Sequence, residues 1–161
     1  MSPTIMPLVS ARFLEGLDEL AANLRQCSDD MLWHAAPGTT NAVGALVQHL
    51  CGNLRHFVGA VLLGTGYVRD RQAEFEHHVA TIDELLELVA ITTAEVRGLA
   101  DASDRSAMAP YPVPWHGTER CTLDVLLILV AHFRYHLGQL NYLRRISDHL
   151  HGTPHIPSTT F

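Results

Sequence analysis

The stretch DVLLILVAHFRYHLGQLNYLRRI, residues 124–146, decides the fold. Val125, Leu129, His132, His136, Leu140 and Leu143 recur at helical spacing, so a single long helix turns all six toward a common interior. A half-buried strand would alternate apolar and polar residues, and this run does not. The two imidazoles stand four residues apart, one above the other on the face that the apolar residues bury.

Three other segments carry the same period. The first runs from about Thr4 to Cys27, with Val9, Phe13, Leu17, Leu20 and Leu24 on one stripe. The second spans roughly Asn41 to Leu63. The third opens with TIDE, where Thr81 and Glu84 have capping-box spacing, and runs to about Ala100. Between the first two, CSDDMLWHAAPGTT (27–40) breaks the pattern; Ser28 suits the cap of a short turn, and Pro37-Gly38 stops it. No convincing strand alternation appears, although MAPYPVPWHGTERCT (108–122) suits a small hairpin or an irregular loop.

Four long helices predict an all-α four-helix bundle, with residues 1–161 as one domain. The connections at 64–80 and 101–121 exceed the usual bundle loop. A helix of about 22 residues spans roughly 33 Å, and 17 extended residues reach roughly 56 Å. The first connection is therefore long enough to cross a helix's length and make helices two and three parallel.

Composition narrows the function. With 161 residues, 47% hydrophobic and 17% charged, the chain suits a globular protein with a substantial core. Its net charge of −6 gives no basic footprint for nucleic acid. Cys27, Cys51 and Cys121 have no repeated spacing and read as reduced thiols, which points to the cytoplasm; Cys51 reads as packing. MSPTIMPLVSARFLEG lacks the pattern of a signal peptide, and no apolar run reaches the roughly 18 residues of a membrane span. All eleven basic residues are arginine, which excludes lysine Schiff-base chemistry and a lysine-containing phosphate loop. Nothing resembles a Gly-rich dinucleotide turn or a GxSxG elbow.

Histidine, with eleven copies, is the main chemical resource. His132 and His136 share one helix face and can converge on a cation, or they can hydrogen-bond carbonyls or each other within a core. Helix two has a polar stripe of its own: His49, Asn53 and His56 between Leu46 and Leu63. Periodicity alone does not choose between His49 and His56 as a third donor. His77 and His78 belong before helix three near solvent, and His149, His151 and His155 belong to a Gly/Pro-containing tail. Small residues recur every seven positions as Ala45, Gly52 and Gly59 on helix two and Ala131 and Gly138 on helix four. Such ridges suit close packing within the bundle or across a dimer.

LVQHLCGNLR in helix two and HFRYHLGQLNYL in helix four resemble the DinB-like superfamily of four-helix bundle proteins. RDRQAEF (69–75) resembles a subgroup of unknown function within it. The resemblance implies a metal triad of His49, His132 and His136, and a homodimer. Three neutral imidazoles leave at least one coordination position for water or substrate, as in a catalytic zinc site. Zinc or nickel suits the donors, with iron or manganese also accommodated. Asn53 and Gln139 are candidates to orient a ligand or hold bound water.

The implied activity is that of a metal-dependent enzyme acting on a small molecule. Two reactions follow from the resemblance: hydrolysis by metal-bound water, or transfer of a low-molecular-weight thiol. A non-catalytic metal or small-ligand binding protein is the competing reading, because no Glu or Asp sits on the inner stripes of helices two or four to supply a general base. Glu74, Glu76 or His116 could serve only if their loops fold over the site. Arg69, Arg71 and Glu74 suit contact with an anionic substrate or, as ion pairs, the pinning of their loop. Tyr111, Trp115 and the intervening prolines suit a stiff apolar lid or a cover for the bundle end.

Overall fold

The computed structural model describes residues 4–76 and 79–150, with backbone only for 148–150. Among these the chain is all-α. Its helices are α1 (Ile5–Leu24), α2 (Asp29–Leu32), α3 (Val43–Leu54), α4 (Val61–Leu63), α5 (Ala73–Glu76), α6 (Ile82–Arg97), α7 (Asp104–Met108) and α8 (Thr122–Leu150). A π turn, Arg55–Ala60, joins α3 to α4 without a break, and a 3-10 turn, Gly98–Asp101, closes α6. Four long helical segments thus make the body: α1, α3 through α4, α6 and α8. No helix among the described residues is long and apolar enough to cross a membrane.

The apolar stripes do what their spacing requires. Val9, Phe13, Leu17, Leu20 and Leu24 of α1 are buried, as are Val125, Leu129, Leu140 and Leu143 of α8. Each such side chain contributes about 1.5–3 kcal/mol through burial, which outweighs local propensity in holding helices together. The capping box of α6 is formed: Thr81 Oγ1 accepts from the Glu84 amide, and the Thr81 amide donates to Glu84 Oε2 (2.7 Å). Ser28 stands at the N-cap of α2, but its side chain makes no capping hydrogen bond.

Contacts at the ends of the helices settle their directions. At one end the Ile82 amide donates to Asp29 Oδ1 (2.9 Å) and Trp33 Nε1 donates to the Ala80 carbonyl (2.9 Å). At the other end Arg55 pairs with Glu95 at 3.0 Å, and Leu63 packs over Gly98. The second and third long segments therefore run parallel, joined by a crossover that returns along α3. The helix α8 runs antiparallel to α3, starting where the Tyr111 hydroxyl donates to the Phe57 carbonyl (2.7 Å). It runs parallel to α1, tied by Arg134 to Glu19 (3.0 Å) and by Arg144 Nε donating to Asn23 Oδ1 (3.1 Å).

The loop before α8 combines the two expected forms. Isolated antiparallel bridges pair Pro110 with Cys121 and Trp115 with Thr118, and no strand forms among the described residues. His116 and Gly117 make its tip, both with positive φ (49° and 80°), as a two-residue hairpin turn demands. Of the two small-residue ridges, that of helix two packs inside the fold: Glu74 lies over Gly52 and Glu95 over Gly59. Gly138 has open space above it.

Candidate metal centre

Helix α3 places His49 on its buried face, and α8 passes antiparallel with His132 and His136 one turn apart. His49 Nε2 and His132 Nε2 are 3.2 Å apart. One nitrogen from each of the three rings falls within 4.8 Å of the others, the only such cluster of histidine, cysteine or acidic groups among the described residues. His56 is not part of it. Seven residues further along a helix means roughly 10 Å of rise. There, within the π turn, the His56 ring packs on Phe57 at 4.7 Å.

The outer faces of two rings are held by acceptors. Glu74 Oε2 lies 3.0 Å from His49 Nδ1, and Gln139 Oε1 lies 2.7 Å from His136 Nδ1. A carboxylate and an amide oxygen can only accept, so both rings carry the proton on Nδ1 and present an Nε2 lone pair. Arg69 Nη2 also lies 3.3 Å from His49 Nδ1, but an N–H already donating to Glu74 cannot accept there. That approach follows from Arg69 gripping the same carboxylate, through Nε at 2.6 Å and Nη2 at 2.8 Å.

Gly52 explains how Glu74 reaches His49. A Cβ at Gly52 would collide with the Glu74 carboxylate, so the missing side chain is the notch through which α5 delivers it. Burial by itself would push the Glu74 carboxyl up, yet hydrogen bonds from Arg69 and His49 and the guanidinium charge hold it below the ordinary carboxylate range. Glu74 and Arg69 are thus an internal pair behind a histidine, with both carboxylate oxygens engaged. Sequence reading missed this role; the visible signal was the glycine at position 52 of a buried helix face.

The cluster fits a cation. Burial, then the neighbouring His136 and His49 rings, push His132 down to about 4, and burial lowers His136, so both are neutral at physiological pH. The 3.2 Å separation matches the roughly 3.3 Å between two nitrogens of a tetrahedral site with bonds near 2.05 Å. His132 Nδ1 is buried without a protein partner, so its tautomer is not fixed by the protein, and its Nε2 is a ligand atom when the proton sits on Nδ1. The three-histidine cluster is compatible with metal binding.

Beside it lies a cavity of about 490 Å³. Its polar wall contains His49, His132, Asn53, Arg69, Arg71 and His116; Phe57, Trp115, Ile128 and Leu129 form the apolar one. Trp115 packs on Phe57 at 4.7 Å, so the loop expected as lid or end cover supplies part of the wall. A depression of about 550 Å³ beyond Gln139, between residues 38–41 and α8, contains none of the three imidazoles. Glu76 is turned away, accepting from Gln72 at 2.9 Å. Cys51 is buried, as its packing role requires. His77, His78, His151, His155 and the side chain of His149 lie outside the described residues.

Fold and site together define an all-α protein with a three-histidine cluster. In a solved structure, the DinB-like protein of Bacillus cereus ATCC 10987 is similar with a TM-score of 0.64 at 17% identity, over 88% of this chain and 91% of that one. That likeness concerns the fold. Within this class the chain belongs to the family of proteins of unknown function DUF1572, whose profile matches residues 8–154. No curated protein matches the sequence.

Proposed function

We propose that this protein is a divalent-metal-dependent enzyme acting on a small molecule, with His49, His132 and His136 as the ligands. One observation carries the reading: three imidazoles converge, two of them with their Nδ1 atoms already held, and His49 and His132 of this cluster line a cavity large enough for a metabolite. When bound, such an ion supplies a nucleophile at neutral pH by lowering the pKa of a coordinated water or thiol. Glu74 orients His49 and raises its basicity, and Gln139 does the same for His136. Asn53 and His116 line the space where a substrate would sit, and Trp115 and Phe57 keep that side apolar. Hydrolysis and transfer of a low-molecular-weight thiol are the two reaction classes. Zinc or nickel suits the donors first, with iron or manganese as alternatives.

A second reading has its own observation. Among the described residues no carboxylate lines the cavity, and Glu74 has both oxygens engaged, so a non-catalytic metal or small-ligand binding protein also suits the site.

Metal analysis of tag-free protein tests the shared premise. We expect one divalent ion per chain, absent from His132→Ala; substoichiometric metal, or equal metal in the variant, would overturn it. A screen of esters, amides and thiol–electrophile pairs then separates the two readings. Chelator-sensitive turnover supports the enzyme, and its absence across the screen favours the binding protein.

A further inference from the structure

The side chains around the cavity are unbalanced in charge. Arg69 and Arg71 reach it, whereas Glu74, which neutralises Arg69, does not line it. Among the described residues no carboxylate lies within ion-pair distance of Arg71, whose guanidinium has only a loose approach to the Phe75 ring, at 6.0 Å. A guanidinium without an ion-pair partner on the wall of this cavity is suited to bind an anion: planar, always charged and matched to a carboxylate. The same cavity is lined by Phe57, Trp115, Ile128 and Leu129, which suit an apolar or aromatic body. The tip of the hairpin adds the His116 ring to the same lining, a second group able to donate to an anion.

We infer that the cavity takes a small organic carboxylate with an apolar body, its carboxylate held by Arg71 and its body by Trp115 and Phe57. This deepens the enzyme reading by naming its substrate class. A carboxylate is favoured over a phosphate because one free guanidinium with one imidazole offers few donors for a phosphate dianion.

Calorimetric titration of the full chain as purified, with 3-phenylpropanoate and its neutral analogue 3-phenylpropanamide, provides the test. We expect the acid to bind at least tenfold more tightly than the amide, and Arg71→Gln to bring the two within about twofold. Arg71 is exposed, so the variant should keep its fold, which circular dichroism checks. Equal binding of acid and amide by the wild type would overturn the proposal, as would an undiminished preference in Arg71→Gln. Tighter binding of phenyl phosphate than of 3-phenylpropanoate would overturn the carboxylate assignment. The same pair titrated into His132→Ala separates this inference from the metal reading. A preference that persists there stands on Arg71 whatever the metal result, and one that vanishes there counts against Arg71 as its source.

Discussion

Glu74 shows how one side chain serves a site without facing its cavity. Its carboxylate spans Arg69 and His49 through a notch at Gly52, and both oxygens are spent inward. Glu74→Gln keeps the shape and removes the charge, and should weaken metal affinity by about 10–100-fold in a chelator competition. His56→Ala, outside the cluster, should leave that affinity unchanged. Equal affinity in Glu74→Gln would reduce the residue to a loop pin. Cys51 offers a second check, because burial pushes its thiol up to about 12. It should resist iodoacetamide at pH 8 in the folded protein and react only on unfolding, while the half-buried Cys27 and Cys121 react first. The pair His132 and His136 was readable from spacing alone, since i and i+4 share a helix face. The hold of Glu74 on His49 was not, because the two lie 25 positions apart and Glu74 sits on a four-residue helix too short for periodicity to register.

At the scale of elements, local signals predicted starts better than internal geometry. The capping box of α6 is written in Thr81 and Glu84, and Thr81→Ala should cost about 1 kcal/mol in denaturant unfolding with metal content unchanged. A loss well below this would mean that tertiary contacts alone hold the start of α6. The π turn in the second segment left no such mark. Apolar residues continue through Val58 and Val61, so the pattern reads as unbroken helix while the backbone widens from Arg55. The short α5 was equally hidden, yet it carries Glu74, an acid that touches the cluster.

For the whole molecule, ligand and proton linkage should be visible in stability. In metal-free protein the folded His132 titrates near 4, below its ordinary 6.5. The unfolded chain therefore binds more protons between those values, and stability should fall as pH drops from 6.5 toward 4. Glu74, held below the ordinary carboxylate range, adds a loss beneath about 4.5. A melting temperature flat from pH 7 to 4 would contradict the histidine loss, and one flat below pH 4.5 the Glu74 loss. Metal should act in the other direction: at about 100 times its Kd it adds about 2.7 kcal/mol, or roughly 5–10 °C for a chain of this size. His132→Ala should abolish that rise. The crossover was legible only as a length that sufficed; Trp33 on Ala80 at one end and Leu63 over Gly98 at the other made it a direction.

Hydrophobic spacing and capping residues alone settled that this chain is helical, which faces are buried, and that His132 and His136 share one. Such properties follow from residues a few positions apart, where helix geometry converts spacing into direction. The choice of His49 over His56 needed the antiparallel passage of α8, which sets depth along the bundle. The grip of Glu74 on His49, braced by Arg69, and the cavity beside it, needed a crossover that folds back over Gly52. These relations join residues 20 to 83 positions apart. Only packing of the whole chain brings such residues together, because no local pattern fixes the register of one helix against another.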